Sequence, residues 1–146
     1  METNMTENAA TRMELDEISI SYLVAIHKWA YFFAILGFVG IAILLLIGIL
    51  SKTILGIVNP ELGAAATIMG FIYVLLALIY FFPVIYLYRF ARLTKKAIQQ
   101  SNNLLMQEAL LNFKKHYQFI GVVTISILVM YLVIIFGYGL GKIFLG

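Results

Sequence analysis

His27 and His116 are the side chains of this 146-residue chain best suited to hold a metal ion. Each stands beside a lysine, Lys28 or Lys115, at the edge of a long apolar run. Helices that brought the two together would create a histidine pair. Structural zinc sites use four protein ligands and catalytic sites three, drawn from Cys, His and carboxylates. Neither histidine has an acidic or cysteine companion, so both are expected to be solvated at an interface, and no metal or cofactor is expected. The chain has no cysteine, which excludes disulfides, thiolate metal sites and cysteine nucleophiles. Glu61 and Glu108 are expected on opposite sides of a membrane, so they cannot act as an acid–base pair. No phosphate-binding or dinucleotide glycine pattern occurs. A non-enzymatic protein is therefore expected.

The remaining polar side chains lie within apolar surroundings. Thr67, Tyr73, Tyr80, Thr124, Ser126 and Tyr131 could line a neutral pore in an oligomer. Their simpler role is to hydrogen-bond backbone carbonyls or neighbouring helices. Proton and ion pumps carry ionisable groups inside the membrane. None lies inside the apolar runs here, which argues against a proton-coupled carrier built from one copy.

The elements that position these residues follow from composition. The chain is 63% hydrophobic and 12% charged, with mean hydropathy +1.00. Soluble domains are roughly 25% charged. The apolar surplus must face lipid or a partner. Three uncharged runs, at about 29–50, 63–88 and 119–140, each exceed the ~20 residues that cross a bilayer. One charge at the bilayer centre would cost about 2.5–3.5 kcal/mol, and the runs contain none. The expectation is an all-α integral membrane protein, a single domain over 1–146 with three transmembrane helices. The first run lies far from Met1 behind an acidic lead and lacks a cleavage pattern, so it is expected to remain as an anchor.

Orientation follows from lysine and arginine. Arg89, Arg92, Lys95, Lys96, Lys114 and Lys115 lie between the second and third runs, and Arg12 and Lys28 precede the first. Lys52 and Lys142 are alone on the other side. The bias predicts a cytoplasmic N-terminus and a C-terminus on the outer side. The six loop cations are read as topology signals, with binding of lipid headgroups as a modest addition. They match no nucleic-acid-binding fold, and no nucleic acid is expected.

Thr11 and Glu14 form a capping-box pattern. Leu15, Ile18, Tyr22, Ile26 and Trp29 then recur at helical spacing. This predicts an amphipathic interfacial helix over about 12–28 that turns into the first span near Trp29. Asn59 and Pro60 predict the start of the second helix, with Glu61 at its positive end. Phe90, Leu93 and Ala97 carry helical spacing past the second run. Met106, Leu110, Phe113, Tyr117 and Ile120 resume it after the turn formers of 99–103. The pattern predicts a cytoplasmic helical hairpin over about 89–118 with its tip at 101–103 and its apolar seams packed together.

Pro83 lacks an N–H and crowds the carbonyl of Ile79, so a static bend is expected where the second helix leaves the bilayer, with a hinge as the other reading. Small residues mark helix contacts. Gly63, Ala66, Gly70 and Ala77 stripe the second helix, Ala30, Ala34, Gly37 and Gly40 the first, and Gly137 and Gly141 form a GxxxG pair in the third. They are expected to pack within one copy or against another subunit.

The segments "IHKWAYFFAILGFVGIAILLLIGI", "YVLLALIYFFPVIYLYRFARLTKKAI" and "SNNLLMQEALLNFKKHYQFIGVVTI" resemble an uncharacterised family of small multi-pass bacterial membrane proteins. It is classed as a domain of unknown function and found chiefly in the Bacteroidota. The likeness covers about 25–137. It implies a bacterial inner-membrane location and brings no activity, substrate or ligand residues. The acidic stretch before the first span has no explanation in the family. The expected role is an accessory or scaffold subunit of an inner-membrane assembly, or a homo-oligomer. The alternative is an oligomeric channel or carrier for a small solute.

Overall fold

In a computed structural model, which describes residues 16–58 and 63–145, three helices account for nearly all of the described chain: α1 (Glu17–Val58), α2 (Gly63–Gln100) and α3 (Asn103–Leu145). At 1.5 Å per residue, their 42, 38 and 43 residues make rods of about 63, 57 and 64 Å. Each is roughly twice the ~30 Å hydrocarbon core. All three are long and apolar enough to cross a membrane.

Asp16 caps α1. Its carboxylate accepts the N–H of Ser19 at 2.8 Å, and hydrogen bonds from the Ser19 side chain and backbone hold its pKa below the ordinary 3.8. The capping box at Thr11 and Glu14 lies outside the described residues. Residues 17–28, expected as a separate interfacial helix, are instead the first turns of α1. Neither glycine nor proline interrupts 17–36, so nothing in the backbone favours a break at Trp29. Ile18, Tyr22, Ile26 and Trp29 are all exposed, so this apolar stripe faces away from the other helices. The expected α2 start at Asn59, Pro60 and Glu61 also lies outside the described residues.

The turn between α2 and α3 is two residues long. Ser101 has φ 46°, the left-handed region. Asn102 N–H donates to the Ala97 carbonyl at 3.0 Å and Ser101 N–H to the Ile98 carbonyl at 3.4 Å, a Schellman closure with serine where glycine is usual. Asn102 then caps α3, its Oδ1 accepting the N–H groups of Leu104 and Leu105 at 2.9 and 3.2 Å.

α2 is the middle helix. Among the described residues it packs on both neighbours, while α1 and α3 make no close backbone approach to each other. Its pairing with α1 is antiparallel and long. Tyr31 meets Tyr88, Phe38 meets Phe81 and Tyr88, and Ser51 meets Ala66. Its pairing with α3 is shorter, running through Phe90–Phe113 and Phe82–Phe119, with ring centroids 4.5 and 6.1 Å apart. Beyond that level α3 stands apart, and every residue over 124–137 is exposed.

The side of α3 that faces α2 differs from the expected seam. Leu110, Tyr117 and Ile120 are exposed, whereas Ala109 and Asn112 are buried and His116 is half-buried. Phe113 of that seam does pack on the α2 core, so the contact face is shifted towards the small side chain of Ala109. On α2, Phe90, Ala91, Thr94 and Ala97 are buried, and Phe90 and Ala91 form a small core with Ala30 and Ala109. Thr94 Oγ1 has no hydrogen-bond partner among the described residues, a cost of about 1–3 kcal/mol for a sealed hydroxyl.

Candidate functional site

The seam between α1 and α2 is built from small residues at its far end. Ala66, Gly70 and Ala77 are buried there, as are Ala34 and Gly48 on α1. A methyl group on Gly70 would lie 2.5 Å from the Gly48 carbonyl, and one on Gly48 would lie 3.0 Å from the Gly70 carbonyl. The two backbones therefore touch, as lipid-embedded helices do where side chains are absent. Ser51 locks the contact. Its hydroxyl lies 2.8 Å from the Gly48 carbonyl and 3.1 Å from the Ala66 carbonyl of the opposite helix. Neither Gly48 nor Ser51 is in the expected set, although both are small residues on one face of the helix. Gly37 fits against Val84, while Gly40, Gly63 and Gly137 have open space where a side chain would go. Nothing is described of the surroundings of Gly141.

A second contact joins α2 to α3. Pro83 is buried inside α2, which stays helical on both sides of it. His116 Nδ1 lies 2.7 Å from the Pro83 carbonyl. A carbonyl only accepts, so Nδ1 carries the hydrogen. His116 is thus a half-buried interhelical donor rather than the solvated residue its sequence position suggested. Of the hydroxyls considered for a pore, Thr67 bonds the Gly63 carbonyl and Ser126 the Val122 carbonyl, each within its own helix.

The basic residues divide into two groups. Arg92, Lys95 and Lys96 of α2 face Lys28 and His27 of α1 across a cleft of about 1040 Å³. Tyr31 and Tyr88 form its wall on the side of the spans, and Val24, Ala91 and Ile98 give it apolar surface. The Arg92 guanidinium sits 5.6 Å from the centre of the Tyr88 ring, a cation–π contact that helps to orient it. Arg89, Lys114 and Lys115 lie outside this lining, and Lys115 Nζ sits 5.9 Å from the Tyr86 ring centre. The described carboxylates, Asp16, Glu17 and Glu108, all lie elsewhere. Desolvation pushes the His27 pKa below its ordinary 6.5. The charges of Lys28 and Lys95 act in the same direction, against a backbone hydrogen bond.

Among the described residues no three His, Asp or Glu side chains are grouped to hold a metal ion. A smaller groove of about 310 Å³, between Leu46, Leu50, Met69 and Tyr73, is almost wholly apolar and suits a lipid chain. No family model matches the chain, and neither a curated protein nor a solved structure matches it. The three apolar helices fit a membrane protein by length and composition.

Proposed function

We propose that the chain is a non-enzymatic integral membrane protein that assembles with other subunits, either as an accessory or scaffold component of a larger complex or as a homo-oligomer. The observation that carries this reading is the exposure of α3 over 124–137, where the helix shares no face with its own bundle. The first half of α3 is fixed to α2, so the second half is presented at a set position. Such a helix is available to another subunit in a way that α1 and α2, already paired along their lengths, are not. Open space at Gly137 would let a second backbone approach closely.

The same reading places the chain in a bacterial inner membrane with a cytoplasmic N-terminus and a periplasmic C-terminus. The ends of α2 and α3 around Ser101 then form a cytoplasmic helical hairpin, and the first turns of α1, with the exposed stripe from Ile18 to Trp29, lead from the cytoplasm into the inner interface. Purification from native membranes in mild detergent, followed by mass spectrometry, tests the proposal. Stoichiometric recovery with a partner, or a closed homo-oligomer, is expected. A monomer without partners overturns it. Solute flux through a reconstituted homo-oligomer would instead support the channel reading.

A further inference from the structure

Charge bias across a membrane requires cations on one side of it; it does not require them to gather in one cleft. Here Arg92, Lys95 and Lys96 share one face of α2, at spacings of three and four, and that face is turned towards Lys28 on α1. Like charges gathered between two helices repel, and among the described residues the cleft lining contains no carboxylate to offset them. Arg89, Lys114 and Lys115 show that the same chain also places cations outside it.

The position of the cleft is equally informative. Lys28 immediately precedes Trp29, where the first apolar run begins, and Arg92 follows Tyr88, where the second ends. The cleft therefore opens at headgroup depth, with tyrosines towards the spans and cations towards water. Arg92 offers a planar fork that matches phosphate oxygens, and the lysines add point charges. The volume of about 1040 Å³ far exceeds one phosphate ion and has room for a phosphate attached to a larger body.

Resting on the membrane placement given above, we propose that the α1–α2 cleft binds a phosphate ester at the membrane surface, with its charge received by Lys28, Arg92, Lys95 and Lys96. A phospholipid headgroup and a soluble phosphate ester share this chemistry. Bound phosphate would relieve the repulsion between the two helices, so occupancy would also tighten the α1–α2 seam.

The test uses the full chain in phosphatidylcholine nanodiscs, with and without a minor fraction of phosphatidylglycerol, and native mass spectrometry to read retained lipid. One variant neutralises the cleft (Lys28→Gln, Arg92→Gln, Lys95→Gln). A control removes the same charge outside it (Arg89→Gln, Lys114→Gln, Lys115→Gln). Retention of phosphatidylglycerol is expected to fall about tenfold or more in the cleft variant and much less in the control. Inorganic phosphate and a soluble phosphate monoester are titrated in parallel. Retention of lipid that neither can displace identifies a lipid headgroup, and saturable binding of the soluble ester identifies a soluble source. Equal losses in the two variants overturn the proposal, because surface charge alone would then explain binding. It also fails if phosphate binds only after Glu2, Glu7 and Glu14 are changed to glutamine, since the acidic tail would then be the occupant. Membrane insertion, read independently by protease protection, separates loss of the cleft from loss of the membrane placement.

Discussion

His116 donates its Nδ1 hydrogen to the Pro83 carbonyl across 2.7 Å, at the level where α3 parts from α2. Below this level, towards the Ser101 turn, the two helices share Phe90, Ala109 and Phe113. Above it, past the Phe82–Phe119 contact, every residue over 124–137 is exposed. The bond is therefore a polar link close to the branch. His116→Ala should weaken α2–α3 pairing by about 1 kcal/mol, the scale of interhelical hydrogen bonds in membranes. Steric-trap or denaturant unfolding in bicelles would measure it. Pro83→Ala keeps the accepting carbonyl, so the loss caused by His116→Ala should persist in that background. A hinge at Pro83 would instead show as altered solute flux.

The Gly48–Gly70 contact makes a sharper contrast. Gly70→Ala places a methyl group 2.5 Å from a backbone carbonyl, which cannot rotate away. Overpacking of this kind costs about 1–3 kcal/mol. Gly40→Ala and Gly63→Ala put the same methyl group into open space and should leave the α1–α2 pair unchanged. Thermal unfolding of the three variants in one detergent checks this. Equal behaviour would mean that the two helices do not approach so closely.

The turn offers a gain instead of a loss. Ser101 holds a φ of 46°, which costs an L-residue about 1–2 kcal/mol relative to glycine. Glycine loses more freedom on folding and returns part of that difference. Ser101→Gly should stabilise the pairing of α2 with α3 by about 0.5–1 kcal/mol. Asn102→Ala should cost about 1 kcal/mol through loss of the α3 cap. Both are read from unfolding midpoints.

The three apolar helices were easy to read in the sequence and their lateral partners were not. The three spans follow from uncharged runs, and the turn formers of 99–103 mark where α2 gives way to α3. Those signals report the exchange of lipid for water, which acts on every residue at a given depth. Which face of a helix meets its neighbour is a different matter. Leu110, Tyr117 and Ile120 looked like a seam by spacing, yet they are exposed while Ala109 and Asn112 are buried. Apolar spacing locates a helix face only broadly: Phe113 of the same stripe packs on the α2 core, beside the small Ala109 that sets the close contact. The small-residue stripe was the better guide. Ala66 and Gly70 meet Ser51 and Gly48 of α1 and Ala77 is buried, although Gly63 of the same stripe has open space. The basic cleft could not be read in advance, because it needs the register that sets Lys28 opposite Arg92 and Lys95.

His27 gives that cleft a titration. Its pKa is lowered mainly by desolvation and further by Lys28 and Lys95. A folded pKa below the unfolded value means that the stabilising contribution is fully present above about pH 6.5 and is lost as pH falls through the folded pKa. Stability in phosphatidylcholine should therefore decline on acidification, and His27→Gln should flatten that decline. Anionic phosphate in the cleft opposes the lysine charges and should move the His27 titration upwards. NMR titration of the ring in neutral and anionic lipid would show the shift, and identical curves would argue against an anion beside His27.

The absence of cysteine makes α3 directly testable, since every single-cysteine variant is free of background pairing. If another copy covers the exposed stretch, disulfide cross-linking of variants across 124–137 should peak every three to four residues, the period of one helix face. The peak should include the face of Gly137, where open space permits close approach. Gly137→Leu should then abolish cross-linking while leaving the Pro83–His116 bond and the Gly48–Gly70 contact intact, because neither lies on this part of α3. A hetero-subunit would leave homotypic cross-links weak at all positions but would still be released from the complex by Gly137→Leu. Uniformly weak cross-linking, together with no partner and no effect of Gly137→Leu, would mean that lipid alone covers the helix. Its separation from α2 would then follow from the point where the α2–α3 contacts end, at Phe82 and Phe119, and not from any demand of assembly.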